Sequence, residues 1–360
     1  FLRGPRGNVA RGPGRSEPAR PGVAPKRREA VLTQVAYHSG TVDSEGRLPF
    51  VDYAKGICIL LVVMMHSTLG LGEAVHAQGW LHEVVAFARP FRMPDFFLVS
   101  GLFLARTIDR DWRTYLDRKV VHFLYFYLLW FGIQTLFRTP GLLADGDPSA
   151  LLRHLGLGLI DPFGTLWFIY LLPVFFVVTK LLRPVPAALV LLGAAALEIA
   201  HLQSDWTVPL EFARRYVYFY IGYRFAGTVF ALARFAAGHP AAMLGALIVW
   251  ANVNGYMAWS GRADLPFVSL ALGLAGAAAI VAIAALIAEF GLLSFLRLMG
   301  RHSLPIYLAF FLPMVVTRTL LVKANLLGLD VGTAAAVVTA AGVIVPLALY
   351  ALTRGTKLDW

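Results

Sequence analysis

A single cysteine, Cys58, occurs in the 360-residue chain. With no partner it can close no disulfide within the chain, so a disulfide-stapled fold is excluded and thiol usage does not report a compartment. Charge is scarce too. Asp, Glu, Lys and Arg make up 15% of the chain, 58% is apolar and the mean hydropathy is +0.67, whereas an ordinary soluble domain is about a quarter charged. A soluble globule is excluded. There is no P-loop, and GLGLIDPFG (156–164) lacks the last glycine of a dinucleotide-binding turn, so neither nucleotide hydrolysis nor dinucleotide chemistry is expected. Zinc spacings such as H-x-x-x-H and CxxC are missing as well. The Glu73, His76, His82 and Glu83 segment therefore reads as a solvated loop, with no metal and no permanently bound cofactor expected.

What is present is basic and apolar. The net charge of +11 suits nucleic acid, an anionic lipid surface or the positive-inside bias of a membrane protein, and the hydropathy selects the last. The partners expected are membrane lipid and small substrates, with no nucleic acid. Residues 1–46 stand apart: Arg, Pro, Gly and Ala dominate, and eight basic residues face four acidic ones. Without apolar periodicity or the continuous apolar core of a secretory signal, this segment reads as a disordered basic tail. Its Lys26-Arg27-Arg28 run is either plain tail or a lipid-surface contact.

From Arg47 onward, apolar blocks alternate with short polar breaks. They give ten candidate spans, over about 49–72, 81–106, 119–138, 163–182, 186–201, 212–232, 241–258, 266–289, 303–322 and 332–353. The dyad alternation of a β-barrel is missing. The expected fold is all-α, a polytopic transmembrane helical bundle over 47–355 followed by a short tail at 356–360. Lys and Arg are more frequent in the loops that become internal if both termini are cytoplasmic, which predicts residues 107–118 inside and 139–162 outside.

An ionised group at the bilayer centre costs on the order of 3 kcal/mol or more, so those inside spans call for a reason. They are Asp52, Lys55, His66, Arg89, Arg92, Asp95, Glu198, His201 and Arg224. Asp52, Glu198 and His201 lie near span ends, where snorkelling is cheap. At about 100° per residue, Lys55 and His66 share one helix face roughly 16 Å apart, and Asp52 falls on the same stripe with Ile59 and Val62. That stripe predicts a polar cavity inside the bundle, with Asp52 able to pair with Lys55 and His66 deeper in; His66 is either reactive or an interhelical hydrogen-bond donor.

The second span, FARPFRMPDFFLVSGLFLA, is interrupted by two prolines and Gly101, as broken helices lining a cavity are. Arg89, Arg92 and Asp95 follow at spacings of three, so Asp95 can neutralise an arginine or hold it toward an anion. Ser100-Gly101 marks either a nucleophile or close helix packing. The loop ARTIDRDWRTYLDRKVVHF offers cations for phosphates, or simply obeys the positive-inside rule.

These residues carry a resemblance. DYAKGICILLVVMMH (52–66) resembles the opening motif of the acyltransferase 3 family of membrane O-acyltransferases, Asp-x-x-Arg/Lys, ten residues, then His. MPDFFLVSG (93–101), LWFIYLLPVFF (166–176) and MGRHSLPIYL (299–308) resemble its later segments in the same order. Lys55 and the short spacing are most similar to the branch containing fucose O-acetylases. The chain departs from the family at Ala309, Phe310 and Phe311, where relatives often carry His, and at RKVVH (118–122), where many carry Arg-Arg-x-x-Arg.

The resemblance implies an inner-membrane, multi-pass enzyme. Its acyl group, acetyl in the first instance, would come from cytoplasmic acyl-CoA as co-substrate and go to a hydroxyl of a glycan or lipid-linked sugar. His66 would be the general base, a task for which an imidazole is suited near neutral pH. Lys55, held by Asp52, would supply positive potential to the donor or the oxyanion. Arg89, Arg92 and Asp95 are candidate oxyanion or acceptor contacts, and Arg118, Lys119 and His122 candidate contacts for CoA phosphates. The alternatives are a membrane transporter of a glycan or anion, and an inactive family member acting as an assembly partner.

Overall fold

The computed structural model describes residues 48–143, 148–324 and 330–354; the tail expected over 1–46 and the one expected over 356–360 lie outside them. Among the described residues all regular structure is helical, with no strand. Helix α1 runs Pro49–Val75, α2 Leu81–Ala88 and α3 Arg92–Gly101; a 3₁₀ turn follows at Leu104–Arg106. Helix α4 runs Trp112–Leu142 with a π turn at Asp117–Val121, α5 Pro148–Gly158, α6 Trp167–Leu181 and α7 Ala187–Ile199. Then come α8 Thr207–Arg224, α9 Ala226–Gly238, α10 Pro240–Trp259 and α11 Val268–Glu289. The last are α12 Ser294–Arg301, α13 Ser303–Ala309, α14 Phe311–Lys323 and α15 Val331–Thr353.

Local chemistry sets the ends. Pro49 opens α1 behind an extended Leu48, where a missing N–H costs nothing, and a left-handed His76 closes it. Asp111 and Asp330 cap α4 and α15 by accepting backbone N–H bonds. Both carboxyls are held below the usual range, Asp111 chiefly by the Thr114 N–H and Asp330 chiefly by the Thr333 hydroxyl and then its N–H.

Five helices, α1, α4, α10, α11 and α15, are long and apolar enough to cross a membrane. The pair α13 and α14, bent by 50° at Phe310, makes a sixth if counted as one span, and α6, α7 and α9 are shorter apolar helices. The second expected span is broken into α2, α3 and the 3₁₀ turn, at Pro90 and again after Gly101, while Pro94 lies within the first turn of α3.

Two boundaries need correction. The span expected over 212–232 is interrupted at Phe225, whose φ of −113° and ψ of 28° end α8 and begin α9. Neither proline nor a charge run marks that break, so hydropathy reads straight through it. The loop expected over 107–118 is helical from Trp112, because the Asp111 cap starts a polar first turn that an apolar window misses.

Helix α1 is the centre of the bundle, packed against α12, α15, α11 and α3. It crosses α12 backbone to backbone: a Cβ on Gly300 would collide with the Asp52 carbonyl, and one on Gly56 with the Leu296 carbonyl. Helices α3 and α8 cross in the same way at Gly101, against the Phe219 carbonyl, and Gly222, against the Leu98 carbonyl. Lipid supplies no hydrophobic force between helices, so glycine contacts of this kind are what bring such helices close. An aromatic core with Phe97, Phe168, Phe175 and Phe219 lies beside the second crossing. Lys180, near the end of α6, is buried: its ammonium donates to the carbonyls of Ile108 at 2.7 Å and Arg110 at 2.6 Å and lies over the Tyr115 ring.

Candidate functional site

The Asp52–Lys55–Ile59–Val62–His66 stripe of α1 faces inward. Asp52, Ile59 and Val62 are buried; Lys55 and His66 are half-buried. Lys55 lines a cavity of about 150 Å³ with Phe96, Val99 and Ser100 of α3, Phe123 of α4, Phe168 and Leu172 of α6, and Ser303, Leu304 and Tyr307 of α13. Each of the four sequence segments singled out above therefore contributes wall to one cavity. Tyr307 is held rigidly in that wall: its hydroxyl donates to the Thr165 carbonyl and accepts from the Ile169 N–H at 3.4 Å.

The stripe's acid has a partner on another helix. Asp52 meets Arg301 of α12, Oδ2 to Nε 3.5 Å, because the glycine crossing brings the start of α1 against α12. Arg301 lies within MGRHSLPIYL, and nothing in the spacing of that segment points it toward α1. Ser303 and Tyr307 were likewise inside a quoted motif without being singled out, since one strand of sequence cannot show that α13 turns toward Lys55. Ser100 also lines the cavity, its hydroxyl bonded to the Phe96 carbonyl at 2.7 Å.

Beyond Lys55, the His66 ring packs on that of Phe310, centroids 5.5 Å apart, at the bend between α13 and α14. Phe310 thus fills the space beside His66. Arg92, at the first turn of α3, is buried and within electrostatic reach of His66. Asp95, one turn along, is fully buried and accepts from the Cys58 thiol at 2.6 Å, so it is turned toward α1 rather than paired with an arginine. Arg89 is exposed and in an ion pair with Asp264. The α2–α3 break separates it from Arg92, and a spacing of three does not survive that break.

The three candidates for CoA phosphates divide between two faces of α4. Arg118 and His122 line an open groove of about 550 Å³ with Asp117, Val121 and Tyr125. Lys119 points inward, over the Phe176 ring at 4.7 Å and within electrostatic reach of Lys55. The π turn at Asp117–Val121 shifts the helical register there. Of the other ionisable residues in spans, Glu198 accepts from the Tyr218 hydroxyl at 3.4 Å, His201 bonds Ser269, and Arg224 is exposed at the end of α8. His82 holds its own loop by accepting from the Gly79 N–H.

A helical membrane bundle with a Lys55-walled cavity, a buried arginine and an inward histidine further along the same stripe is a multi-pass membrane protein with ionisable groups turned into its interior. The family model for the acyltransferase 3 domain, described as an acyltransferase domain, matches residues 48–351, and the chain belongs to that family. The inner membrane protein YcfT of Escherichia coli (strain K12) is 26% identical over 208 residues, 50% of this chain and 57% of that protein. The match thus spans little more than half of that relative. No solved structure matches the chain.

Proposed function

We propose that this protein is an inner-membrane O-acyltransferase that moves an acyl group, acetyl in the first instance, from cytoplasmic acyl-CoA to a hydroxyl of a glycan or lipid-linked sugar. The observation that carries the reading is the convergence of all four family-like segments on the cavity at Lys55, with His66 on the same inward face of α1. His66 takes the proton of the acceptor hydroxyl as its oxygen attacks the thioester carbonyl. The new C–O bond forms, the C–S bond breaks, and the imidazolium returns the proton to the departing CoA thiolate. Lys55 adds positive potential beside the donor, Arg92 contacts the acceptor, and Arg118 and His122 contact CoA phosphates at the cytoplasmic side. About 16 Å of helix separates Lys55 from His66, so the donor arm would enter past Lys55 while the acceptor approaches His66 from the other side.

The test is incubation of the full chain, purified in detergent, with acetyl-CoA and a mixture of membrane glycans, following free thiol release and an acetyl-sized mass increment on the glycan. Both are expected. Thiol release without glycan modification, or neither, sinks the reading; binding and flux of a glycan without acyl transfer favours a transporter.

Two further results are expected. Lys55→Met should raise the KM for acyl-CoA more than it lowers kcat, because Lys55 sits beside the donor's path and far from the reacting carbon. Lys55→Arg should retain part of the function, and a pure kcat loss in Lys55→Met would remove Lys55 from the donor path. For topology, a cysteine placed at position 111 in a Cys58→Ser background should be labelled only from the cytoplasmic side. Serine keeps a donor for Asp95, so the background should stay folded; labelling from outside in intact cells would overturn the orientation.

A further inference from the structure

The Arg92 guanidinium is buried, only 9% exposed, and its Nε and Nη1 have no hydrogen-bond partner among the described residues. The charges that act on it make its position worse. Arg215 and Arg89 are both within electrostatic reach, and their own acids are already engaged: Glu211 with Arg215 at 3.0 Å, Asp264 with Arg89. Asp95, the carboxylate nearest in sequence, is bonded to Cys58. Arg92 also occupies the first turn of α3, a ten-residue helix whose N-terminal end carries the positive side of its dipole. Among the described residues this buried cation is answered by cations and a helix N-terminus, a costly arrangement in a low-dielectric bundle that an anion would relieve.

We infer that Arg92 and the N-terminus of α3 form a binding site for an anionic group, carboxylate or phosphoryl, carried by the acceptor. Arg92 lies within electrostatic reach of His66, so an acceptor whose charge rests on Arg92 presents a neighbouring hydroxyl to the imidazole. The acceptor class is an acidic sugar or a sugar phosphate rather than a neutral glycan. Locating the charge on the acceptor rests on the acyltransferase reading; the existence of the anion site does not.

The test uses the full chain in detergent, with glucose, glucuronic acid and glucose 6-phosphate as probes and thermal unfolding as readout. One or both acidic probes should raise the unfolding temperature by a few degrees and glucose should not; which one acts separates carboxylate from phosphoryl recognition. Arg92→Gln should abolish this shift and, without probe, unfold at a higher temperature than the parent, since an unpaired buried charge has been removed. Arg92→Lys should keep a weaker shift. A variant Arg92→Gln that fails to fold, or unfolds at a lower temperature, makes Arg92 structural and overturns the inference, as does an equal response to glucose. A parallel arm compares nanodiscs of phosphatidylcholine with and without phosphatidylglycerol. A shift from the anionic lipid in place of the sugars assigns the site to lipid and overturns the acceptor assignment. Acidic-probe binding without acyl transfer by the parent would fail the acyltransferase reading alone, whereas transfer to neutral sugars with no Arg92-dependent shift would fail this inference alone.

Discussion

His66→Ala is expected to lower acyl transfer by about 10²–10⁴-fold, the usual contribution of a positioned general base, with insertion and folding preserved. The side chain is half-buried and its ring rests on Phe310, so truncation removes a ring contact and leaves no charge stranded in the span. His66→Gln, which retains size and hydrogen bonding but cannot accept and return a proton as imidazole does, should be as inactive as alanine. The measurement is thiol release from acetyl-CoA by equal amounts of purified parent and variants in the presence of acceptor. Parental turnover in either variant would remove His66 from the chemistry.

The second large effect is on folding. Gly300→Ala should abolish accumulation of folded protein or lower its unfolding temperature sharply, because the added Cβ would occupy the space of the Asp52 carbonyl in a backbone contact that cannot yield as a side chain can. Overpacking of this kind costs about 1–3 kcal/mol, and more where backbone must shift. Gly56→Ala, on the other side of the same crossing, should behave alike, whereas Gly245→Ala, which meets open space, should be tolerated. Size-exclusion profiles and melting curves in detergent read the difference. A Gly300→Ala protein that melts with the parent would mean that α1 and α12 do not cross this closely, and the Asp52–Arg301 pairing would fall with it.

Much of this protein is legible along the chain, because lipid imposes harsh rules on sequence. Apolar blocks of span length can only be helices where no dyad pattern exists, and the stripe from Asp52 to His66 follows from helical period alone. The inward burial of Ile59 and Val62 beside Lys55 and His66 is what that period predicts. The Phe225 break was not legible, since backbone angles at one residue leave no trace in hydropathy.

Composition and periodicity therefore determined the class, the helices and the face of α1 that looks inward, for these are properties of single segments in an apolar solvent. Which segments meet was decided only in three dimensions. The glycine crossing at Gly56 and Gly300 brings Asp52 to Arg301 of α12. The break before α3 leaves Arg89 exposed with Asp264 and Arg92 buried. The turn at Ser303 carries Tyr307 into the wall beside Lys55. A partner is chosen by the close approach of backbones distant in sequence, and spacing along one helix carries no information about what stands opposite it.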